Sequence, residues 1–242
     1  MNDWRLITTW GSPPSFNMGL DEALLENLDA PPTLRFYSWA PDTLSLGYFQ
    51  RYEDVAGLER AGAVVRRLTG GGAIHHVHEL TFSFCCALDE PLYRGKLADS
   101  YVRVHEAIAG TLQNLGLNAR LRGDSPLRSD CPDTGMCFHK STPQDLVWEN
   151  RKGVGSAQRR RNGRVLHHGS IKLKSSILDT RIATLESLKT EIDAAQLAAL
   201  LLDTFRSQLG LSFEVGVPDV HERAMARELG TRYLDPAFLR RR

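Results

Sequence analysis

The chain has 242 residues, with 30 Lys and Arg against 29 Asp and Glu, and its net charge of +1 argues against bulk electrostatic binding of nucleic acid. Its 42% hydrophobic and 24% charged residues can bury a full core, and no stretch reaches the ~20 apolar residues of a membrane span. Met1-Asn2-Asp3-Trp4-Arg5 shows neither the basic nor the apolar segment of a secretory signal. Cys85, Cys86, Cys131 and Cys137 are therefore expected as free thiols in a reducing, cytoplasmic setting.

In chain order, residues 15–25 read as a helix with Ser15 or Asn17 as N-cap. Two short strands follow, Thr33–Tyr37 and Thr43–Leu46, then a short helix over Asp54–Ala61 and a strand at Ala63–Val65. Leu80–Leu88 is strand-like and too apolar for an exposed edge. Asp99–Leu115 places Val102, Ile108, Leu112 and Leu115 at helical spacing, with Gly116 as the stop. Residues 123–140 are irregular and polar and contain Cys131 and Cys137.

A meander comes next, with a strand at Asp145–Glu149, a turn at Asn150-Arg151 and a return over Lys152–Arg161. The Asn162-Gly163 hairpin signal and a third strand at Arg164–Lys174 complete it. A two-residue turn pairs Arg161 with Arg164, so Gln158 faces His167 and Ser156 faces Gly169. Strict alternation puts Lys152, Ser156 and Gln158 on one face and His168 on the other, unless a glycine bulge resets the register. Ala194–Leu209 and Val220–Gly230 read as helices, the second ending near Tyr233. Residues 1–185 are taken as a catalytic domain and 186–242 as a small helical segment packed on it.

The chemistry concentrates in Arg66-Arg67-Leu68-Thr69-Gly70-Gly71-Gly72-Ala73-Ile74-His75-His76. Three glycines admit positive φ and can turn bare N–H groups onto an anionic or carbonyl-bearing ligand. Taken alone, the run also reads as a glycine turn with solvated arginines. It lacks the Gly-Lys-Ser/Thr of a phosphate loop. Cys137 lies in the polar loop rather than an apolar strand, which favours reactivity, and Cys131 is its rival. Cys85 and Cys86 fit the core. Lys152, flanked by small residues, can approach a thiol or carbonyl closely, although a lone lysine there also reads as a solvated turn residue whose replacement costs little stability. His75, His76 and His78 show no metal-ligand spacing with the cysteines, so no metal is expected. Arg159-Arg160-Arg161 with Arg164 reads as a solvated hairpin tip or a dock for an acidic protein.

In combination, these segments resemble the biotin/lipoate ligase superfamily, in particular its lipoate-protein ligase A and octanoyltransferase branch. The matching pieces are Asn17-Met18-x-x-Asp21-Glu22, Ser45-Leu46-Gly47-Tyr48-Phe49-Gln50, Arg66 to Ala73, Glu79-Leu80-Thr81, Asp145-Leu146-Val147, Lys152-x-x-Gly155-Ser156-Ala157-Gln158 and His168-Gly169-Ser170. Glu228-Leu229 and Tyr233 are similar to the branch's closing segment. The resemblance implies an α/β (α+β) fold, a mixed, largely antiparallel sheet flanked by helices. It also implies a pocket for a lipoyl or octanoyl chain, lined by Arg67, Thr69, Gly70, Gly71, Gly72, Ala73, His76, Gly155, Ser156, Ala157, Gln158, His168 and Gly169, with Lys152 at the acyl carbonyl. Cys137-Phe138, fifteen positions before Lys152, resembles the cysteine-dependent octanoyltransferases. The triple glycine is closer to the ATP-dependent ligases.

The resemblance thus implies transfer of octanoate from acyl carrier protein to a lysine of a lipoyl-domain protein (glycine cleavage H protein or a dehydrogenase E2). Cys137 and Lys152 are the catalytic pair, with no cofactor, no nucleic acid or membrane partner, and a monomeric enzyme. Three alternatives stand beside it. They are an ATP- and magnesium-dependent lipoate ligase, an amidotransferase between protein lysines, and an inactive lipoyl-domain-binding protein.

Overall fold

A computed structural model describes residues 3–55 and 57–241; Met1, Asn2, Ala56 and Arg242 lie outside the described residues. Its strands and helices in chain order are β1 (Asp3–Ser12), α1 (Pro14–Glu26), β2 (Thr33–Trp39), β3 (Thr43–Leu46), β4 (Ala63–Arg66), β5 (Ile74–His76), β6 (Glu79–Ala87), α2 (Leu97–Asn114), β7 (Arg120–Leu121), β8 (Leu146–Trp148), β9 (Arg151–Arg161), β10 (Arg164–Lys172), α3 (Ala194–Leu209), β11 (Ser212–Gly216), α4 (Val220–Leu234) and α5 (Pro236–Leu239). The large sheet runs β11-β1-β2-β6-β10-β9-β8-β7, and a small one runs β4-β3-β5. Among the described residues, β1 with β11 and β2, and β3 with β4, pair in parallel, and the other strand ladders are antiparallel. This is the expected α/β class with a largely antiparallel sheet.

β6 is buried along nearly its whole length because it is central, flanked by β2 and β10, with both faces covered, its apolar Phe82 and Phe84 on one side and its polar Glu79, Thr81 and Ser83 on the other. On one face, Phe82, Phe84, Val154 and Ile171 form a core with α2 and α3 through Ile108, Leu112, Leu201 and Phe205. On the other, Cys85 and Leu166 pack on Leu20 and Leu24 of α1 and Ala226 of α4. Burial pushes the Cys85 thiol up to about 12, so it is an inert core residue, as its apolar strand implied. Among the described residues no helix is long and apolar enough to cross a membrane.

Several local expectations need correction. Neither Ser15 nor Asn17 caps α1, which begins at Pro14 without a side-chain cap. Asn17 instead sits inside, its Nδ2 donating to the carbonyls of Ser12 and Ser38. The short helix at 54–61 is two single 3-10 turns, Tyr52–Asp54 and Leu58–Arg60, with Ala56 outside the described residues. The β8–β9 turn falls on Glu149-Asn150, both at positive φ (53° and 58°), one residue earlier than read. β11, which the sequence analysis did not include, lies between the two C-terminal helices and pairs with β1.

The hairpin register is as expected, with Arg161↔Arg164, Gln158↔His167 and Ser156↔Gly169. The condition on a bulge is met at Gly153, since Leu146 pairs with Val154 but Val147 pairs with Lys152. One extra residue in β9 reverses the alternation. Val154 and Ser156 therefore face α2, while Lys152 turns to the opposite face with Gly155, Ala157 and His168.

Candidate active site

A cleft with about 420 Å³ of empty volume lies between the small sheet with its glycine loop and the β9–β10 face of the large sheet. Of the residues expected at the site, Arg67, Gly70, Gly71, His76, Cys137, Ser156, Ala157, His168 and Gly169 line it. Met18, Tyr37, Trp39, Ser45, Ile74 and Thr81 complete the walls, and sequence reasoning singled out none of them as site residues. They come from four separate strands and α1, so only the fold collects them.

Arg67 organises the loop rather than presenting free donors. Its Nη2 donates to the carbonyls of Gly70 and Gly72, both at 2.7 Å, and Nη1 to the Ser45 carbonyl at 2.9 Å and hydroxyl at 3.3 Å. Nε donates to Thr69 Oγ1 at 3.2 Å, which accounts for all five N–H bonds. Burial pulls this guanidinium down to about 10, opposed in part by the neighbouring Cys137. With the Gly70 carbonyl drawn to Arg67, the trans peptide points the Gly71 N–H the other way.

Two parallel relays back the two hydroxyls that Arg67 touches. Thr69 Oγ1 lies 2.6 Å from His168 Nε2, and His168 Nδ1 donates to Asp21 at 3.2 Å. Ser45 Oγ lies 2.7 Å from His76 Nε2, and His76 Nδ1 donates to Glu79 at 2.6 Å. Asp21 is also ion-paired with Arg35, and Glu79 with Lys172. The Asp21 and Glu79 partners were not singled out as site residues, although both fall in the quoted motifs.

Burial holds His76 neutral, its pKa lowered to about 4. A depressed histidine leaves the folded state binding fewer protons than the unfolded one between about 4 and 6.5. Its contribution to stability is complete above 6.5 and lost as pH falls toward 4. His105, His139 and His167 are shifted the same way by burial, whereas Glu79, held well below its usual range, does not titrate in this window. Thermal denaturation should therefore show Tm falling between pH 7 and pH 4.5, and a flat Tm would contradict these assignments.

Cys137 begins a single 3-10 turn, Cys137–His139, pinned by the buried side chains of Met136 and Phe138 on either side of the thiol. Ala73 and Met136 form an isolated parallel bridge, the Ala73 N–H donating to Gly135 and the Cys137 N–H to Ala73, each at 2.8 Å. Gly72 permits this approach, because a Cβ there would lie 2.7 Å from the Cys137 nitrogen. Cys131 is tied to the same loop through its N–H to the His139 carbonyl but does not line the cleft.

Lys152 corrects the solvated-lysine alternative, for it is only 2% exposed. Its Nζ donates to Asp145 Oδ2 at 2.9 Å, to the carbonyls of Cys137 and Lys140 at 3.0 and 3.3 Å, and reaches Cys137 Sγ at 3.6 Å. Burial works against its charge, but the neighbouring Cys137 and Asp145 outweigh burial and raise its pKa. Replacing it is thus no longer cheap, as the energetics of a broken buried pair require. Asp145, read only as a strand start, is its counter-ion.

Gly155 gives the ammonium its seat, since a Cβ there would meet Lys152 Cε at 2.7 Å and Nζ at 3.0 Å. Those atoms end a flexible chain, so Gly155→Ala should fold normally yet displace the ammonium from Cys137. We expect turnover to fall about 10-fold or more with little change in Tm, on the scale of losing one preorganised electrostatic contact. Unchanged turnover would show that the position of Nζ is not critical.

Ser156 and Gln158 do not direct their polar groups at Cys137. Ser156 Oγ bridges His105 Nε2 at 2.7 Å and His167 Nε2 at 2.8 Å, and Gln158 bonds Ser100 at 2.9 Å, all on the α2 side. Ser156 meets the cleft only as part of the strand wall. His75 bonds Asp42 and Ser176, each at 3.0 Å.

A profile of the "Lipoyl protein ligase A/B catalytic domain" matches residues 13–206. An octanoyltransferase LipM from Moorella thermoacetica is 34% identical, covering 99% of this chain and 98% of its own length. Another from Geobacillus kaustophilus is 40% identical, covering 70% of this chain and 65% of its own. Among solved structures, a putative lipoate protein ligase from T. acidophilum superposes with a TM-score of 0.80 at 25% identity, covering 99% of this chain and all of the other.

Proposed function

The chain belongs to the lipoyl protein ligase A/B catalytic-domain family and is an acyltransferase, and on that premise we propose that it moves octanoate from acyl carrier protein to a lipoyl-domain lysine through a cysteine thioester. The observation that carries this reading is the Cys137 thiol in the wall of the cleft, 3.6 Å from the ammonium of the buried Lys152. A nearby ammonium favours the thiolate, the form that attacks an acyl group.

The thiolate adds to the thioester carbonyl, and the oxyanion is met by Lys152 and the outward N–H of Gly71. Collapse restores the carbonyl, leaving the acyl group on Cys137 Sγ, and breaks the bond to the carrier sulfur, whose thiolate takes up a proton. The acceptor amine then adds to the acyl-enzyme, loses its proton and releases the Cys137 thiolate, leaving an amide. Both chemical steps use one pocket. Walls such as Met18, Trp39 and Ile74 suit an alkyl chain, whose buried methylenes contribute about 0.8 kcal/mol each.

A thioester is already activated, so this reading needs no ATP, magnesium or other cofactor. It also needs a reduced thiol, which fits a cytoplasmic monomer acting on the glycine cleavage H protein or an E2 lipoyl domain. The test is to weigh a lipoyl-domain acceptor after incubation with octanoyl–acyl carrier protein, or with free octanoate, each with and without ATP. Modification is expected from the carrier thioester alone, without ATP. Efficient modification from free acid plus ATP, undiminished in Cys137→Ala, would make the enzyme a ligase.

A further inference from the structure

The arginines of the β9–β10 hairpin have different destinations. Arg164 is buried and donates to the carbonyls of Leu28 and Ala30, while Arg160 turns to the α2 side and bonds Gln158 and Ser100. Arg159 and Arg161, on the cleft face, meet Arg232 of α4 and Arg241 beyond α5 in a groove floored by Tyr48 and Leu68. Glu26 pairs with Arg161 at 2.8 Å and Glu22 with Arg232 at 2.6 Å. Arg159 and Arg241 stand 5.4 and 4.0 Å from the Tyr48 ring centre, and among the described residues no carboxylate forms an ion pair with either. Four guanidinium groups against two carboxylates leave two uncompensated positive charges in one groove (4 − 2), on a chain whose whole net charge is +1.

We propose that this groove docks the acidic carrier protein that brings the acyl donor, an inference that rests on the transferase reading. Its position favours the donor's carrier over the acceptor. Ala157 lines the cleft, and Arg159 is the next residue on the same strand face. From Gly155, where the Lys152 ammonium sits, Arg159 and Arg161 are four and six residues along β9, about 13 and 20 Å at about 3.3 Å per residue. An acceptor lysine has only a four-carbon stem, so its protein must press on the cleft mouth itself. A donor held on a long prosthetic arm leaves its protein body at the rim, where the arginines are. Unpaired rim charges of this kind steer encounter and set its salt dependence.

The experiment compares wild type with Arg159→Glu/Arg241→Glu, using octanoyl–acyl carrier protein and octanoyl-pantetheine as donors to the same acceptor. The variant should lose roughly 10-fold or more in kcat/KM with the protein-borne donor, and most of its salt dependence, while the small thioester reacts as before. An equal loss with both donors would place the arginines in the cleft chemistry and overturn the proposal. So would no loss, or a loss confined to KM for the lipoyl domain. Binding of fluorescently labelled acyl carrier protein, measured without turnover, separates the two levels. Weaker binding by the variant supports the groove even if the wild-type enzyme fails to transfer from the thioester, whereas equal binding rejects it.

Discussion

Cys137→Ser is expected to abolish the covalent intermediate and reduce octanoyl transfer by roughly 10³-fold or more, because a serine hydroxyl beside an ammonium is a far poorer nucleophile than a thiolate. Incubation of the wild type with octanoyl–acyl carrier protein should add one octanoyl mass, removed by hydroxylamine. The variant should fold normally. The turn that carries the thiol is anchored by Met136 at 4% and Phe138 at 0% exposure, and by backbone bonds to Ala73 that serine leaves intact. Cys131→Ser is the matched control, since Cys131 shares the loop but does not line the cleft, and its adduct should persist. An adduct that survives in Cys137→Ser would move the nucleophile elsewhere and remove the basis for the proposed mechanism.

The Cys137 loop was legible as a candidate because Cys137 stood in polar, irregular sequence while Cys85 and Cys86 stood in an apolar strand. Burial bears out the latter pair as core. Strands and helices with clean periodicity, such as β3 and α3, fall where the spacing put them. Features set by tertiary contact were less visible. The start of α1 is fixed by Pro14 and by Asn17 bonding two distant carbonyls, which local capping rules do not register. β11 is a five-residue edge strand whose partner β1 lies some two hundred residues away in sequence. The side on which Lys152 emerges depends on one extra residue at Gly153, so alternation alone leaves it open. Ser156 and Gln158 belong to the same motif as Lys152, yet the bulge sends their polar groups to the opposite side of the sheet. Asp145 was visible as a motif residue, but its pairing with Lys152 exists only after β8 and β9 come together.

Lys152→Met should lower turnover by about 10²-fold or more, the scale of removing one preorganised donor from a developing oxyanion, and the same variant should also be destabilised. Lys152 and Asp145 are 2% and 4% exposed and lie 2.9 Å apart, so removing the ammonium strands a buried carboxylate. Breaking such a pair costs about 3–5 kcal/mol, whereas replacing both partners by neutral groups of similar volume is often close to neutral. The double variant Lys152→Met/Asp145→Asn should therefore recover most of the lost stability without recovering activity. That split separates the two roles of the lysine. If the double variant regained near-wild-type transfer, the ammonium would be a structural counter-ion and not the group that stabilises the Cys137 thiolate and the oxyanion. If activity stayed low while the melting temperature returned, the loss would be chemical. The bonds from Nζ to the carbonyls of Cys137 and Lys140 make the first outcome a real competitor, since they also tie the loop to β9. The rate of Cys137 alkylation by iodoacetamide discriminates further, since a slower reaction in Lys152→Met that persists in the double variant would follow loss of the ammonium and not loss of folding.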